Sequence, residues 1–88
     1  MDTGKLKEYV EDNNPYNEPF SILDSSALTS DQLRLDYKNE QYSVYMTNEK
    51  ATAEGVQYFN EESLAVDNFR VRWEAGLRAA KRRQTTFQ

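Results

Sequence analysis

The strongest hydrophobic pattern in the sequence lies in residues 60–83, where apolar residues recur every three or four positions. This apolar stripe consists of Val66, Phe69, Trp73, Leu77 and Ala80. Such spacing places the side chains on one face of an α-helix, so we predict an amphipathic helix here. Residues 69–77 also alternate apolar and polar, which is typical of a strand. We favour the helix because acidic residues stand at the start of the run and basic residues at its end, as the helix dipole prefers.

A less regular pattern fills residues 31–59. An approximate helical face is formed there by Leu35, Tyr42, Tyr45, Met46, Ala53, Val56 and Phe59. We therefore predict a mainly α fold, in which an extended N-terminal arm is followed by a helical hairpin. Residues 33–37 and 42–46 also alternate apolar and polar around a turn near Asn39. The alternative is a small α+β fold with a short β-hairpin in residues 33–46.

Two parts of the chain are distinguished by composition: an N-terminal arm, residues 1–30, and a small helical domain, residues 31–88, which ends in a basic tail. Residues 3–11 suit a short helix, whereas Pro15 and Pro19 favour extended backbone in the residues before them. An extended arm has little regular structure in which to bury its own apolar side chains. We predict that four of these side chains contact a partner: Tyr16, Phe20, Ile22 and Leu23.

The composition is polar for a self-sufficient domain of 88 residues, with 38% hydrophobic residues, 30% charged residues and a mean hydropathy of -0.95. A chain of this size buries only a modest core, so we expect part of it to be extended or to gain order against a partner. It contains neither an apolar run that could cross a membrane nor the apolar segment of a secretion signal. We expect no membrane contact and a cytoplasmic location, or a virion-associated one if the protein is viral.

Charge is distributed unevenly along the chain. Residues 1–62 carry 13 acidic and 5 basic side chains, whereas residues 63–88 carry 6 basic and 2 acidic ones. The two parts attract each other or attract different partners. Basic candidates for a partner contact lie at the end of the predicted helix: Arg78, Lys81, Arg82 and Arg83. These residues could bind phosphates, but they also complement the dipole of the helix.

An enzymatic function is not expected, because the residue types on which most small active sites depend are missing. The chain has no histidine and no cysteine, which excludes Ser-His and Cys-His triads and thiolate-bound zinc within one chain. No glycine-rich phosphate-binding loop is present. The carboxylate pairs Glu11–Asp12 and Glu61–Glu62 fit a polar turn and a helix start, so a carboxylate-bound metal enzyme remains a minor alternative. We predict no cofactor and no metal.

These features favour a non-enzymatic protein that binds a protein partner. It would be an interaction protein or structural subunit that docks on a larger assembly, or on a second copy, through its N-terminal arm and C-terminal helix. The alternative is a nucleic-acid-associated accessory protein, of viral or phage origin, that uses the basic C-terminal segment. The acidic part of the chain also permits the opposite idea, an inhibitor that imitates nucleic acid on a basic target, but this signal is weak because basic residues are dispersed among the acids.

Overall fold

Four strands and two helices form an α+β fold in the computed structural model, which describes residues 1–86 and the side chains up to Arg83. The elements are α1 (Thr3–Asp12), β1 (Phe20–Ile22), β2 (Leu33–Lys38), β3 (Gln41–Thr47), β4 (Ala53–Phe59) and α2 (Glu62–Thr86). The strands form one sheet in the order β1-β2-β3-β4, with β1 parallel to β2 and the other pairs antiparallel. The prediction of a mainly α fold is therefore wrong.

The hairpin of β2 and β3 is the one that the alternative prediction placed in residues 33–46. Leu33 pairs with Met46 and Leu35 with Val44, so the apolar positions of both strands share one face. The strands are joined by Asn39 and the residue after it, both of which have positive φ. That geometry is typical of the two-residue turns that suit the twist of a hairpin. Alternation was thus the correct signal in this region.

Residues 53–59, which we assigned to a helical face, form the edge strand β4. Six of its seven residues are exposed, so its sequence does not alternate between buried and solvated positions. Gly55 has a φ of +63° and lies where the pairing with β3 shifts register, as in a β-bulge. An edge strand with little buried surface resembles a polar helix or loop in sequence, and this explains the error.

The predicted amphipathic helix is confirmed as α2, which begins at Glu62 and packs on the sheet. Four residues of its apolar stripe are buried and the fifth is partly buried against the core: Val66, Phe69, Trp73, Ala80 and, partly, Leu77. They meet the apolar side chains of the hairpin, including Leu35 and Val44, which are fully buried. Burial of this stripe against the sheet forms the core.

The N-terminal arm of the mainly α prediction is not a separate extended segment. The short helix expected over residues 3–11 is present as α1, and the carboxylate of Asp2 caps it by accepting from the Lys5 amide. Leu6 and Val10 of α1 are fully buried in the core. Farther along, β1 pairs with β2. Both ends of the supposed arm are therefore integrated into the fold.

A buried arginine fixes the segment between β1 and β2 across the other face of the sheet. The guanidinium of Arg34 donates to the carbonyl oxygen of Ser26 at 2.9 Å and to Gln32 Oε1 at 2.9 Å, and forms an ion pair with Asp36 at 3.3 Å. Nearby, hydroxyl and amide donors of Ser21 and Ser26 lower the pKa of Asp24 to about 2. Polar contacts thus hold this segment where the apolar core does not reach.

The central position of Trp73 predicts a large loss of stability when its side chain is removed. Trp73 is 3% exposed, and cutting a buried aromatic side chain to alanine typically costs about 3–5 kcal/mol. We expect the free energy of unfolding of Trp73→Ala, measured by urea denaturation, to fall by this amount. Val71→Ala, on the same helix at a residue that is 64% exposed, serves as control and should stay within about 0.5 kcal/mol of wild type. Equal stability of the two variants would contradict the packing described.

A hydrogen bond between α1 and α2 predicts that the Tyr9→Phe substitution raises the pKa of Glu74 and lowers stability to an extent that depends on pH. Tyr9 Oη donates to Glu74 Oε2 at 2.6 Å, and this bond, together with Arg70, lowers the pKa of the Glu74 carboxyl. In Tyr9→Phe we expect this pKa to rise towards its ordinary value of 4.5, as followed by NMR titration. A lowered carboxyl pKa stabilises the fold above its ordinary pKa and less as the pH falls. Tyr9→Phe should therefore have a free energy of unfolding lower than that of wild type by about 1 kcal/mol or less at neutral pH, and this difference should shrink in acid.

The control for this prediction is Tyr58→Phe, on the exposed strand β4, which should leave the Glu74 titration unchanged. A Glu74 pKa that stays low in Tyr9→Phe would mean that Arg70 alone holds the carboxylate charged.

Candidate partner-binding cleft

A cleft of about 530 Å³ lies between the second half of α2, the ends of β2 and β3, and the loop before β1. Its walls are formed by Glu18 and Pro19 from the loop, by Asp31, Leu33 and Met46 from the sheet side, and by Arg72, Trp73, Gly76, Leu77, Ala79 and Arg83 from α2. Four separate parts of the sequence therefore meet in one concave surface, which is the usual form of a binding site.

The loop wall is held in place by hydrogen bonds to its backbone. The Asn14 side chain bonds the Glu18 amide at 2.7 Å and the Glu18 carbonyl oxygen at 3.0 Å. The Trp73 indole donates from Nε1 to the Asn13 carbonyl oxygen at 3.1 Å, and the Leu33 amide donates to the Pro19 carbonyl oxygen at 3.4 Å. These contacts fix the loop against both α2 and β2, so the cleft exists before any partner arrives.

The floor and one wall of the cleft are apolar. Leu33 and Trp73 are buried beneath it, Leu77 is half-buried, and Met46 is 44% exposed. Met46 was assigned to the approximate helical face of residues 31–59 in the sequence-based prediction, but it lies near the end of β3 and keeps much of its surface in water. An apolar centre with this exposure is typical of a surface that binds another molecule.

Charged groups of both signs surround this apolar centre. Arg83 forms an ion pair with Glu18 at 3.3 Å across one end. Arg72 donates to the Gly55 carbonyl oxygen at 2.9 Å and to Gln57 Oε1 at 3.0 Å, and partial burial lowers its pKa, although a guanidinium stays charged. Asp31 is exposed beside the strand ends. A polar rim around an apolar centre resembles the arrangement of protein–protein interfaces.

The predicted partner-binding residues of the arm occupy different environments. Phe20 packs edge-on against Trp73, with ring centroids 5.6 Å apart, and Ile22 is buried in the core. Tyr16 is half-buried in the loop, and Leu23 is exposed after β1. The core positions of Phe20 and Ile22 follow from the pairing of β1 with β2. A role in partner binding stays a prediction for all four residues.

The predicted basic residues of α2 are exposed: Arg78, Lys81, Arg82 and Arg83. Of these, Arg83 lines the cleft, where it meets Glu18 of the loop. The loop, which belongs to the predicted arm, and the end of the helix were both predicted to contact a partner, and they meet at one place. Sequence reasoning missed Glu18, Met46 and Gly76 as members of the site. The only sequence signal for any of them was an isolated glycine within a strong helical pattern.

Within residues 1–86, no group of three or more acidic residues is arranged to hold a metal ion. The helices of this described part of the chain are too short or too polar to cross a membrane.

Comparisons with known proteins gave one result. Residues 2–86 match the model of a protein family described as Immunity protein 59. No curated protein and no solved structure matches the chain.

The two internal glycines predict stability changes of opposite sign. Gly76 lies inside α2, and a Cβ added there would meet no heavy atom within 4 Å other than its chain neighbours and the adjacent backbone of its own helix. Gly76→Ala should therefore stabilise the protein by about 0.5–1 kcal/mol. Gly55 has a φ of +63°, so Gly55→Ala should destabilise it by about 1–2 kcal/mol. Urea denaturation measures both. A loss of stability in Gly76→Ala would show that the cleft is filled by the chain itself.

Proposed function

The chain belongs to the Immunity protein 59 family, whose model covers residues 2–86, and from this premise we propose that it neutralises a protein toxin by binding it. Immunity proteins typically bind a toxin rather than catalyse a reaction. Family membership therefore agrees with the sequence-based expectations of a non-enzymatic role and of a protein partner. The fold does not by itself indicate a function, so the mode of binding has to be argued from the surface.

We assign the toxin contact to the cleft between the loop and α2. The observation that supports this assignment is the exposed apolar surface of Met46, together with half-buried Leu77, inside a rim of charged residues. Interfaces gain most of their affinity from a few apolar residues that lose water on binding, while the polar rim fixes orientation. The preformed loop reduces the entropic cost of binding, because its backbone is already ordered.

The charges of the cleft favour a protein over a nucleic acid. Glu18 and Asp31 lie in the same cleft as Arg72 and Arg83, so a phosphate backbone would meet carboxylates as well as guanidinium groups. A protein surface carries both signs and can match such a rim. The sequence-based hypothesis also allowed docking on a second copy of the chain. The stoichiometry of the complex distinguishes such self-association from toxin binding.

We expect the wild-type chain to bind the toxin of its source cell in a one-to-one complex and to restore growth when both are expressed in a sensitive host. Met46→Glu should weaken binding by about tenfold or more, because a charge would replace an apolar residue in the contact. Val71→Glu is the matched control, since Val71 is an exposed apolar residue of α2 that does not line the cleft. Calorimetry measures affinity, and size exclusion with light scattering measures stoichiometry.

Three outcomes separate the parts of this proposal. Failure of wild type to bind or to protect would contradict the function itself. Binding that both variants retain in full would keep the function and move the contact away from the cleft. Self-association of the free chain that Met46→Glu abolishes, without any toxin binding, would favour a second copy as the partner.

A further inference from the structure

A glycine that the folded chain does not require lines the cleft. Gly76 lies in the interior of α2, where glycine is less favourable than alanine by about 1 kcal/mol. Its φ is not positive, so an L-residue could adopt the same backbone conformation. Apart from the adjacent backbone of its own helix and its two chain neighbours, an added Cβ would have no heavy atom within 4 Å, so no neighbouring group requires the space either. Neither conformation nor internal packing accounts for a glycine at this position.

The cleft that Gly76 lines has apolar groups in its walls. Trp73 and Leu77 come from the same helix, and Leu33 and Met46 come from the sheet side. The Met46 side chain is flexible and polarisable, so it adapts to a bound group. A side chain at position 76 would project into this space and reduce it. The missing Cβ therefore leaves room for a group that comes from outside the chain.

Of the two acidic residues that line the cleft, Asp31 is the one that sets the charge next to that group. Asp31 lines the cleft and is exposed, and none of the ion pairs among the described side chains, up to Arg83, involves it. The nearby acid Glu18, in contrast, is already paired with Arg83. Asp31 has a φ of +56°, a conformation that aspartate and asparagine tolerate better than most other residues. Its carboxylate is therefore available to a cation of the partner.

We infer that the cleft binds a toxin segment that inserts one large apolar side chain beside Gly76 and places a lysine or arginine next to it, on Asp31. This inference rests on the proposed function and adds the chemistry of the segment that the cleft recognises. The formal net charge of -4 also favours a basic partner, since it attracts positive charge over longer distances. Apolar insertion supplies affinity, and the ion pair supplies orientation.

Two blocked dipeptides test the inference without the toxin. N-acetyl-Phe-Lys-amide should shift the NMR signals of the Gly76 and Leu77 amides and of the Trp73 indole, with binding about tenfold stronger than that of N-acetyl-Phe-Glu-amide. Gly76→Leu should abolish these shifts while the protein stays folded, because leucine is a good helix former and its side chain occupies the space. Asp31→Asn should remove the preference for lysine, whereas Glu49→Gln, in a turn outside the cleft, should keep it.

The outcomes separate this inference from the proposed function. Shifts that persist in Gly76→Leu, equal binding of the two peptides, or no shifts at the cleft at any soluble concentration would overturn the inference. Toxin neutralisation by wild type would remain intact in each of these cases. If the peptides behave as expected but the chain protects against no toxin, the proposed function fails and the peptide specificity of the cleft stands.

Discussion

The burial of Trp73 is the interaction on which the rest of the structure depends. Its ring packs against Phe69 within α2 and edge-on against Phe20 of β1, and its indole donates to the carbonyl oxygen of Asn13 just after α1. One side chain thus connects both helices and the first strand, which are distant in sequence. Because a buried aromatic residue contributes several kcal/mol to a domain whose total stability is typically about 5–15 kcal/mol, the fold has little reserve without it.

The same side chain positions the cleft. The hydrogen bond from Trp73 draws the loop that starts at Asn13 onto α2, and this places Glu18 within 3.3 Å of Arg83. The core and the proposed toxin contact are therefore two sides of one packing arrangement. A preformed cleft suits an immunity protein, because an ordered surface loses less entropy on binding and so binds more tightly for a given contact area.

The sequence predicted those elements whose residues are buried in a regular pattern. The stripe of α2 alternates buried and exposed positions with a helical period, so its pattern was sufficient. Strand β4 has almost no buried residues, and for this reason its residues were wrongly assigned to a helix. The cleft could not be predicted, because Glu18, Met46 and Gly76 come together only through tertiary packing. The basic end of the helix and the loop bounded by prolines were both recognisable in the sequence. Their contact with each other was not, because it depends on the tertiary fold.

Hydrogen exchange of the chain with and without its toxin tests the central claim most directly, because it reports which backbone segments a partner covers. If the cleft binds the toxin, protection should increase in the loop at residues 16–18 and in residues 72–83 of α2. Strand β4, whose residues are mostly exposed in the free protein, should exchange as before. Protection confined to β4 or to residues 23–30, with no change at the cleft, would contradict the account.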